Sequence, residues 1–385
     1  MKIGYITNSP APYRIQQINK FHDIENVNIT LYYTNSKRGS RNWNINHKSI
    51  GKEVILSQFY LFRYKDYDFF LNGGLRKIVK DNDLIIIGGY EQFSYFLIAQ
   101  LCKLYRKKYI LLFDGIQPQK IGTKTNFFKD FIIKSIVKGA QSIFGNGLVS
   151  KLYFSQNYHY DENHIYNQYL TVDIEQIDKI SSCRKDVKKR YKEKYNIKEG
   201  QTVIVSVSRL LDWKNTQLLL KSVSLLNRPD SVVVFIVGDG PERANLEKMA
   251  HELNLNVVFT GNIAEPLEVY NYYLLADLFV FPTRHEAWGL VVNEAMAAGL
   301  PILCSKGAGA SLDLVQEGIN GYTFSPDDPM ALKDKIQHLI DDERLRTAFG
   351  TESKRIIREW TFESSKESFE NLLVSEGFIK ENRRS

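Results

Sequence analysis

The alternation of short apolar runs with longer amphipathic stretches constrains the fold of this chain more than any other feature. Ten runs of five to seven residues lie at 2–7, 27–33, 83–89, 109–114, 142–146, 202–208, 232–238, 256–261, 278–282 and 301–305. Runs that are apolar throughout, with helical stretches between them, are typical of buried parallel strands. The pattern predicts an α/β protein with doubly wound parallel sheets.

The length of 385 residues predicts two domains, each large enough to close its own core. Residues 181–200 are highly charged and poor in large apolar side chains, which is typical of a solvated connecting helix and linker. We therefore place the boundary near residue 180, between domains 1–180 and 181–361. Open α/β sheets bind ligands beyond the carboxyl ends of their strands, so an active site is expected between two facing domains.

Composition excludes several classes of protein. Hydrophobic residues make up 43% and charged residues 25%, which excludes disordered and collagen-like chains. Three cysteines without short metal spacing favour neither a disulfide framework nor a zinc site, and they fit a reducing cytoplasm. The first apolar run is too short for a signal peptide, and no run approaches the roughly 20 residues of a spanning helix. We predict a cytoplasmic protein.

The positive charge is concentrated in the first half of the chain. Residues 1–179 hold 24 Lys and Arg against 15 Asp and Glu, whereas residues 180–385 hold 27 against 29. A field of that sign favours an anionic partner such as nucleic acid, lipid headgroups or a phosphorylated substrate.

The segment 281–301 carries the most specific pattern in the sequence. A strand ends at Phe281, and a helix begins near Trp288 or Gly289 and stops at Gly299, before Pro301. Backbone amides at the positive end of such a helix suit a phosphate. The amides in question belong to Trp288, Gly289, Leu290 and Val291.

Two glutamates flank that helix start. Glu286 lies just before the helix and Glu294 about a turn and a half inside it. Two carboxylates beside an anion site would repel the anion unless they accept hydrogen bonds from hydroxyl groups. A sugar or a ribose supplies such hydroxyl groups. Spacing alone leaves open a second interpretation, two surface glutamates on an ordinary helix.

With its Glu, seven residues, Glu pattern and the following small-residue helix, this segment resembles family four of the retaining glycosyltransferases, which have the GT-B fold. Other stretches follow the family pattern in the same order, from the basic clamp to the Gly-Asp-Gly-Pro turn and beyond: 208–215, 238–250 and 307–324. The resemblance spans roughly residues 200–325. It implies an N-terminal acceptor domain, a C-terminal donor domain and a closing helix, 362–380, that packs back on the first domain.

The resemblance also implies residue roles. Arg209 and Lys214 follow a strand, where ordinary surface basicity is the alternative; in the family such cations neutralise a diphosphate leaving group. Glu294 is expected to bind the ribose and Glu286 the donor sugar. The backbone near the base is expected to come from Gly238, Gly261 and Asn262.

The amino-terminal half follows the family less closely. Residues 8–14 lack the Gly pair with which many relatives approach the donor phosphates, so no direct phosphate contact is predicted there. Asp114 ends a strand at the expected ligand edge. It is interpreted as a sugar or acceptor contact that could also take the acceptor's proton, with a helix cap as the alternative. Residues 145–147 are candidates for the acceptor side.

We predict no cofactor and no catalytic metal. Asp81 and Asp83 form an Asp-x-Asp pattern, but they precede a strand, whereas metal ligands would be needed at its other end. His285 is interpreted as a loop residue rather than a ligand. A dinucleotide fingerprint is also missing, because Arg243 stands where the third Gly would be required.

Residues 120–138 combine five lysines with phenylalanines and isoleucines that recur at helical spacing. One interpretation is a helix packed on the sheet with its lysines in water. The other is a basic amphipathic surface for anionic lipid, formed by Lys124, Phe127, Phe128, Lys129 and Lys134. No nucleic-acid-binding motif accompanies the charge, so a nucleic-acid partner is not predicted.

Together with these observations, the resemblance implies a retaining hexosyltransferase of the type that builds bacterial surface polysaccharides. Its donor is expected to be a nucleoside diphosphate sugar, with UDP favoured, and its acceptor a glycan or polyprenyl-linked molecule at the inner face of the plasma membrane. The alternatives are a GT-B sugar-nucleotide epimerase, a glycogen-type phosphorylase, and a catalytically silent protein that binds glycan or nucleotide.

Overall fold

The computed structural model describes residues 1–35, 49–64, 67–123 and 126–380, and these form two compact units. The first unit comprises residues 1–116 and 120–170 together with the chain from Phe362 onward. The second comprises residues 117–119 and 171–361. The division falls at residue 170, ten residues before the boundary drawn from the sequence.

The first unit is built on a parallel sheet with helices between its strands. Its strands are β1 (Lys2–Thr7), β2 (Asn28–Tyr33), β3 (Lys52–Ile55), β4 (Gln58–Tyr64), β5 (Tyr67–Asn72), β6 (Leu84–Ile87), β7 (Tyr109–Phe113), β8 (Ser142–Gly145) and β9 (Ile165–Asn167). Its first helices are α1 (Pro12–Phe21), α2 (Leu75–Asp81), α3 (Phe93–Leu104), α4 (Phe127–Gly139) and α5 (Gly147–Tyr158). Seven strands form one sheet in the order β3-β2-β1-β6-β7-β8-β9, and β4 pairs with β5 in an antiparallel hairpin.

The second unit repeats this architecture with six strands. They are β10 (Thr202–Val207), β11 (Val232–Val237), β12 (Val257–Gly261), β13 (Leu278–Phe281), β14 (Ile302–Ser305) and β15 (Gly321–Phe324). The helices are α6 (Ile174–Ser181), α7 (Arg184–Lys194), α8 (Thr216–Ser224), α9 (Arg243–Glu252), α10 (Pro266–Leu275), α11 (Leu290–Ala297), α12 (Pro329–Asp341) and α13 (Glu343–Ile357). The strand order is β12-β11-β10-β13-β14-β15, with every pairing parallel.

Continuous apolar runs explain why these sheets are parallel and covered on both faces. All four residues of β6 and all four of β13 are buried, so neither face of either strand meets water. Burying apolar surface contributes about 25 cal/mol per Å², and helices on both faces maximise that burial. The predicted doubly wound α/β class is confirmed, with the ten predicted strands present to within a residue or two at their ends.

The charged stretch 181–200, predicted to be a solvated connecting helix and linker, packs into the second unit. Its helix, α7, buries Val187 and Tyr191. The Tyr191 ring packs edge-on against Tyr272 at 5.3 Å, within a cluster that includes Tyr195 and Phe235. Apolar residues spaced four apart give this helix a narrow buried stripe, which its high overall charge hides in the sequence.

The closing helix α14 (Phe362–Ser375) packs within the first unit. Phe369 stacks on Phe21 of α1 with ring centroids 4.4 Å apart, and Leu372 and Leu373 are fully buried. The first unit therefore completes its core with residues from the end of the chain.

Each sheet reverses its strand order at one point. In the first unit the reversal falls between β1 and β6, and in the second between β10 and β13. Loops leaving adjacent strands diverge at such a point, which opens a crevice at the carboxyl edge of the sheet where ligands of open α/β folds bind. Ligand contacts are therefore expected in four loops, which begin after Thr7, Ile87, Val207 and Phe281.

Candidate active site

Two predicted site residues meet at the reversal point of the second sheet. Lys214 follows β10, Glu286 follows β13, and the ammonium group contacts the carboxylate directly. Their side chains are 13% and 23% exposed, so both lie beneath the surface yet remain reachable. The pair is a compact cation and hydrogen-bond acceptor at the place where this fold class binds ligands.

The ring of Phe281, the last residue of β13, connects this pair to the start of helix α11. The Lys214 ammonium lies 5.2 Å from the ring centroid. Gly289, which precedes α11, is so close to the same ring that a Cβ there would lie 2.7 Å from its Cε1 atom. The cation and the helix N-terminus therefore approach one ring together. A helix N-terminus presents free amides and partial positive charge, so this arrangement suits a diphosphate.

The helix start is shaped by glycine and by a buried tryptophan. Gly289 has φ of 108°, a backbone conformation that residues with a Cβ rarely adopt. Leu290 and Val291 form the first turn of α11. The prediction for Trp288 concerned its backbone amide; its indole is buried, stacks on Trp360 and donates to Asn293 at 3.0 Å. Its side chain supports the helix from inside, because an indole N–H needs a buried partner.

Glu294 lies half-buried inside α11. The buried hydroxyl of Tyr273 donates a hydrogen bond of 2.7 Å to the carboxylate. Burial raises the pKa of Glu294 to about 7, and the hydrogen bond from Tyr273 lowers it from a still higher value. This carboxyl group therefore changes charge near neutral pH, which the sequence pattern did not reveal.

The residues predicted to lie beside the nucleotide base form one turn region. Gly238 donates its amide to the Gly261 carbonyl at 3.2 Å, and a Cβ on Gly238 would lie 2.0 Å from the Ser208 carbonyl oxygen. The exposed Arg209 follows directly after Ser208. Residues after β10, β11 and β12 thus pack backbone against backbone at one edge of the sheet, as close approach through glycine allows.

Asp239 ties that turn region together and was missed by the sequence analysis. Its carboxylate accepts hydrogen bonds from the amide of Gly240 at 2.7 Å, from the Arg243 guanidinium at 3.1 Å, and from the backbone of Asn262. These bonds, that from Gly240 foremost, hold the pKa of Asp239 below its usual value. The signal lay in the motif itself, because aspartate before glycine commonly bonds its own turn.

The loop that carries Lys214 is hydrogen-bonded to the loop that carries Glu286. The Trp213 carbonyl accepts from the Arg284 amide at 2.8 Å and from the Thr283 hydroxyl at 3.1 Å. His285 stacks on Trp213 rather than pointing toward other candidate ligands, with centroids 6.1 Å apart. These bonds fix the spacing of Lys214 and Glu286 independently of any ligand.

In the first unit, Asp114 directly follows β7 and is bonded to helix α1. The Arg14 guanidinium pairs with one carboxylate oxygen, and the Tyr13 hydroxyl donates to the other at 3.0 Å. The alternative interpretation of Asp114 as a helix cap is wrong, because its oxygens accept from these side chains. Sequence reasoning missed both partners, although Arg14 stands in the loop and helix segment that had been singled out.

Helix α4 has both of the properties that the sequence left in competition. Ile133, Ile136 and Val137 are buried against the sheet. A separate face is exposed, and we call it the α4 face: Phe127, Phe128, Lys129, Phe131, Lys134 and Lys138. The exposed fractions of Phe127 and Phe128 are 81% and 79%, which is unusual for phenylalanine. Lys124 lies outside the described residues.

The rejected metal motif has a role in the fold. Asp83 lies at the amino end of β6, and its carboxylate accepts the amide of Lys2 at 2.7 Å. Within the described part of the chain, no three His, Cys, Asp or Glu side chains gather where they could hold a metal ion. Among the same residues, no helix is long and apolar enough to cross a membrane.

Comparisons with known proteins bear on this geometry. Residues 187–356 match the family model described as glycosyl transferases group 1. The chain is 25% identical over 318 residues to N-acetyl-alpha-D-glucosaminyl L-malate synthase of Bacillus anthracis, covering 80% of this chain and 78% of that protein. It is 28% identical over 199 residues to the capsular polysaccharide biosynthesis glycosyltransferase CapM of Staphylococcus aureus, covering 50% and 51%. The chain is a glycosyltransferase.

Solved structures place this glycosyltransferase in the GT-B fold. HepE of Anabaena, crystallised in complex with UDP, superposes with a TM-score of 0.76 at 18% identity, over 97% of this chain and 100% of that one. The fold expected from the sequence resemblance is therefore confirmed. The family model and the curated relatives confirm the expectation of a glycosyltransferase enzyme.

Proposed function

We propose that this glycosyltransferase moves a hexose from a nucleoside diphosphate sugar, with UDP favoured, to a glycan or lipid-linked acceptor, and that it retains the anomeric configuration. The observation that carries the proposal is the convergence of Lys214, Glu286 and the start of α11 at the reversal point of the second sheet. The solved complex of a similarly folded protein with UDP supports the choice of nucleotide.

In the proposed reaction the bond between the sugar C1 and the diphosphate oxygen breaks, and its electron pair leaves with the diphosphate. Lys214, Arg209 and the first amides of α11 stabilise that negative charge as it develops. Preorganised donors of this kind contribute most of the acceleration in many enzymes, with about 3–4 kcal/mol lost when one is removed.

An acceptor hydroxyl then forms the new bond to C1 on the face from which the diphosphate departs. Its proton passes to the departing phosphate oxygen, so no side chain is required as a covalent nucleophile. Glu286 accepts a hydrogen bond from a donor-sugar hydroxyl. Because Lys214 neutralises Glu286, that carboxylate can lie close to the phosphates without repelling them.

Nucleotide binding in the proposal uses the other predicted residues. Glu294 accepts hydrogen bonds from the ribose hydroxyls, and the glycine turn at Gly238, Gly261 and Asn262 lies beside the base. Glycine there allows a planar ring to approach the backbone closely. No metal or other cofactor takes part in the proposed mechanism, because the cations and amides supply the positive charge.

The α4 face is the proposed contact with an anionic membrane surface, in an enzyme that acts peripherally at the inner face of the plasma membrane. Exposed aromatic rings enter the headgroup region, and each nearby lysine contributes about 1 kcal/mol on an anionic membrane. CapM, a capsular polysaccharide biosynthesis glycosyltransferase, supports an acceptor of the surface-glycan type.

A panel of nucleotide sugars tests the donor. Thermal melting with UDP, GDP and ADP sugars should show one nucleotide raising the melting temperature most, since a ligand at 100 times its dissociation constant stabilises by about 2.7 kcal/mol. The best donor is then incubated with acceptor glycans with and without EDTA, and proton NMR reads the anomeric configuration of the product. Inverted product, or activity lost with EDTA and restored by a divalent cation, would contradict the corresponding part of the proposal.

A further inference from the structure

A buried arginine in the first unit supports a half-exposed carboxylate. Arg14, in the first turn of α1, has a side chain that is 5% exposed, whereas the side chain of its partner Asp114 is 46% exposed. The Tyr13 hydroxyl occupies the second oxygen of Asp114 at 3.0 Å. Two donors from one helix therefore fix the carboxylate of a residue 100 positions away in the chain.

Arg14 is itself held from behind. Its guanidinium donates to the side-chain oxygen of Gln17 and, at 3.1 Å, to that of Gln168. The Gln17 amide nitrogen in turn donates to the Gln168 carbonyl at 3.2 Å and to the Ser365 hydroxyl of α14 at 2.6 Å. A chain of hydrogen bonds thus runs from the closing helix through Arg14 to Asp114, and fully bonded buried networks of this kind are rigid.

Stability alone accounts poorly for this arrangement. Taking a guanidinium out of water costs several kcal/mol, and apolar side chains of similar volume commonly hold a core at least as well. A purely structural brace would bury both charges, but here the carboxylate stays half-exposed at the carboxyl edge of β7. The buried members of the network fix the direction of the one group that solutes can reach.

We propose that Arg14 and Tyr13 are positioning residues that hold Asp114 to accept a hydrogen bond from a hydroxyl of the bound sugar. Both Asp114 oxygens already accept a hydrogen bond, and each keeps a second lone pair for a ligand. The carboxylate therefore serves as a fixed acceptor rather than as the base that removes the acceptor's proton. The inference rests on the proposed sugar transfer and names the residues that prepare one sugar contact in the first unit.

A double-mutant cycle on sugar transfer tests the inference. Asp114→Asn should lower kcat/KM roughly tenfold to a hundredfold, as expected for one lost hydrogen bond to a charged group. Arg14→Gln should cause a similar loss in the wild-type background and little further loss in the Asp114→Asn background, because it acts through that carboxylate. Arg14→Lys should restore part of the activity, and Tyr13→Phe should cost only a few-fold.

Variants of the same helix separate positioning from folding. Tyr13→Phe removes one hydroxyl and no buried charge, so it keeps the test valid if Arg14→Gln folds poorly. Lys20→Met removes an exposed 3.5 Å ion pair between α1 and Glu363 of α14, and it should leave kcat/KM unchanged. Thermal melting of every variant reports the fold.

The outcomes distinguish this inference from the proposed function. Independent, multiplicative losses from Arg14→Gln and Asp114→Asn, or full activity of Asp114→Asn, would overturn the positioning role while sugar transfer by the wild type stood. If the wild type transferred no sugar from any nucleotide donor, the proposed function and the inference would both fall.

Discussion

Each sheet of this protein places a cation beside a carboxylate at its carboxyl edge, but the two pairs are built in opposite ways. In the second unit, Lys214 and Glu286 are similarly and modestly exposed. In the first unit, Arg14 is buried in a hydrogen-bond network and Asp114 is half-exposed. In the second unit, therefore, either charged group can contact a ligand. In the first unit, the buried cation supports the exposed carboxylate.

The chemistry of the two cations fits this difference. Lysine carries a point charge with three donors on a flexible stem, so Lys214 can donate to a phosphate while it stays beside Glu286. The planar arginine fork makes several directed hydrogen bonds at once, and Arg14 uses them toward Asp114, Gln17 and Gln168. Replacing each cation should consequently affect different properties, activity in one case and the placement of a neighbour in the other.

The largest expected effect is on catalysis through Lys214. Lys214→Ala should lower kcat for sugar transfer on the order of 10²–10³-fold, as removal of one preorganised donor does elsewhere. Its effect on the melting temperature should be small, because both members of the pair keep some contact with solvent. Steady-state kinetics and thermal melting measure the two effects.

Lys221→Ala provides the control for Lys214→Ala, since this exposed lysine lies on α8, which closely follows the Lys214 loop. It should change neither quantity. A Lys214→Ala enzyme with unchanged kcat would remove the second-unit pair from the mechanism and leave the comparison without its catalytic member.

The second prediction concerns the glycine that brings α11 up to Phe281. Gly289→Ala should destabilise the protein by about 2–4 kcal/mol, because it adds backbone strain at φ of 108° and a Cβ 2.7 Å from a ring carbon. Since the Lys214 ammonium lies over the same ring, activity should fall as well. Urea unfolding and transfer kinetics provide the measurements.

Gly318→Ala is the matched control, since φ there is 72° but no atom lies within 4 Å of the added Cβ. It should cost only about 1–2 kcal/mol and leave transfer unchanged. Equal losses at the two glycines would show that contact with Phe281 has no special importance.

Much of the fold and of the second-unit site could be predicted because their signals are local. Continuous apolar runs predicted ten of the strands. Glu286, Glu294 and Gly289 lie within a stretch of nine residues around a recognisable helix start. The strands that were missed, β3, β4, β5, β9 and β15, have mixed polarity or are short, so periodicity gave them no clear pattern. The buried stripe of α7 was hidden by the charge around it.

The first-unit network could not be predicted in the same way, because its members come from distant parts of the chain. Arg14, Asp114, Gln168 and Ser365 meet through sheet order and through the return of α14. A lone Arg or Gln in a sequence carries no sign of its partner. The pKa of Glu294 also escaped prediction, since burial depends on how neighbouring helices pack.

A third prediction compares Glu294, whose carboxylate receives one bond from Tyr273, with Asp114, which receives two. Because the pKa of Glu294 is about 7, UDP affinity should increase several-fold from pH 6 to pH 8 as the carboxylate ionises and accepts the ribose hydroxyls. Tyr273→Phe removes a bond that lowers this pKa, so the midpoint should move to higher pH. Calorimetric titration with UDP across pH 5.5–8.5 measures it.

Tyr272→Phe is the control for that titration, because it removes a hydroxyl from the same helix that bonds Tyr195 at 2.9 Å and not Glu294. Its midpoint should match that of the wild type. Because the nucleotide itself titrates identically with every variant, a difference in midpoint between variants comes from the protein. Identical midpoints in the wild type and in Tyr273→Phe would separate Glu294 from nucleotide binding.

The smallest predicted effect comes from a pair in the first unit whose exposure is the reverse of that of Arg14 and Asp114. Here the carboxylate of Glu376 is 2% exposed, and the histidine that bonds it, His164, is 45% exposed. The hydrogen bond from His164 raises the pKa of the imidazole. Burial alone would raise the pKa of Glu376, but bonds from His164, Gln141 and Tyr166 outweigh burial and lower it.

A histidine whose pKa is raised by folding stabilises the fold fully below its unfolded pKa of 6.5, and this contribution disappears as pH rises through the folded value. His164→Ala should therefore lower the free energy of unfolding by about 0.5–1 kcal/mol at pH 6, a figure limited by solvent screening, and by less at pH 9. Glu162→Gln breaks the exposed 3.2 Å pair with Lys151, which contains no histidine, so its cost should not change between these pH values. Urea unfolding at both pH values measures these losses of stability. An equal loss from His164→Ala at pH 6 and pH 9 would mean that the positive charge of His164 does not stabilise the buried carboxylate.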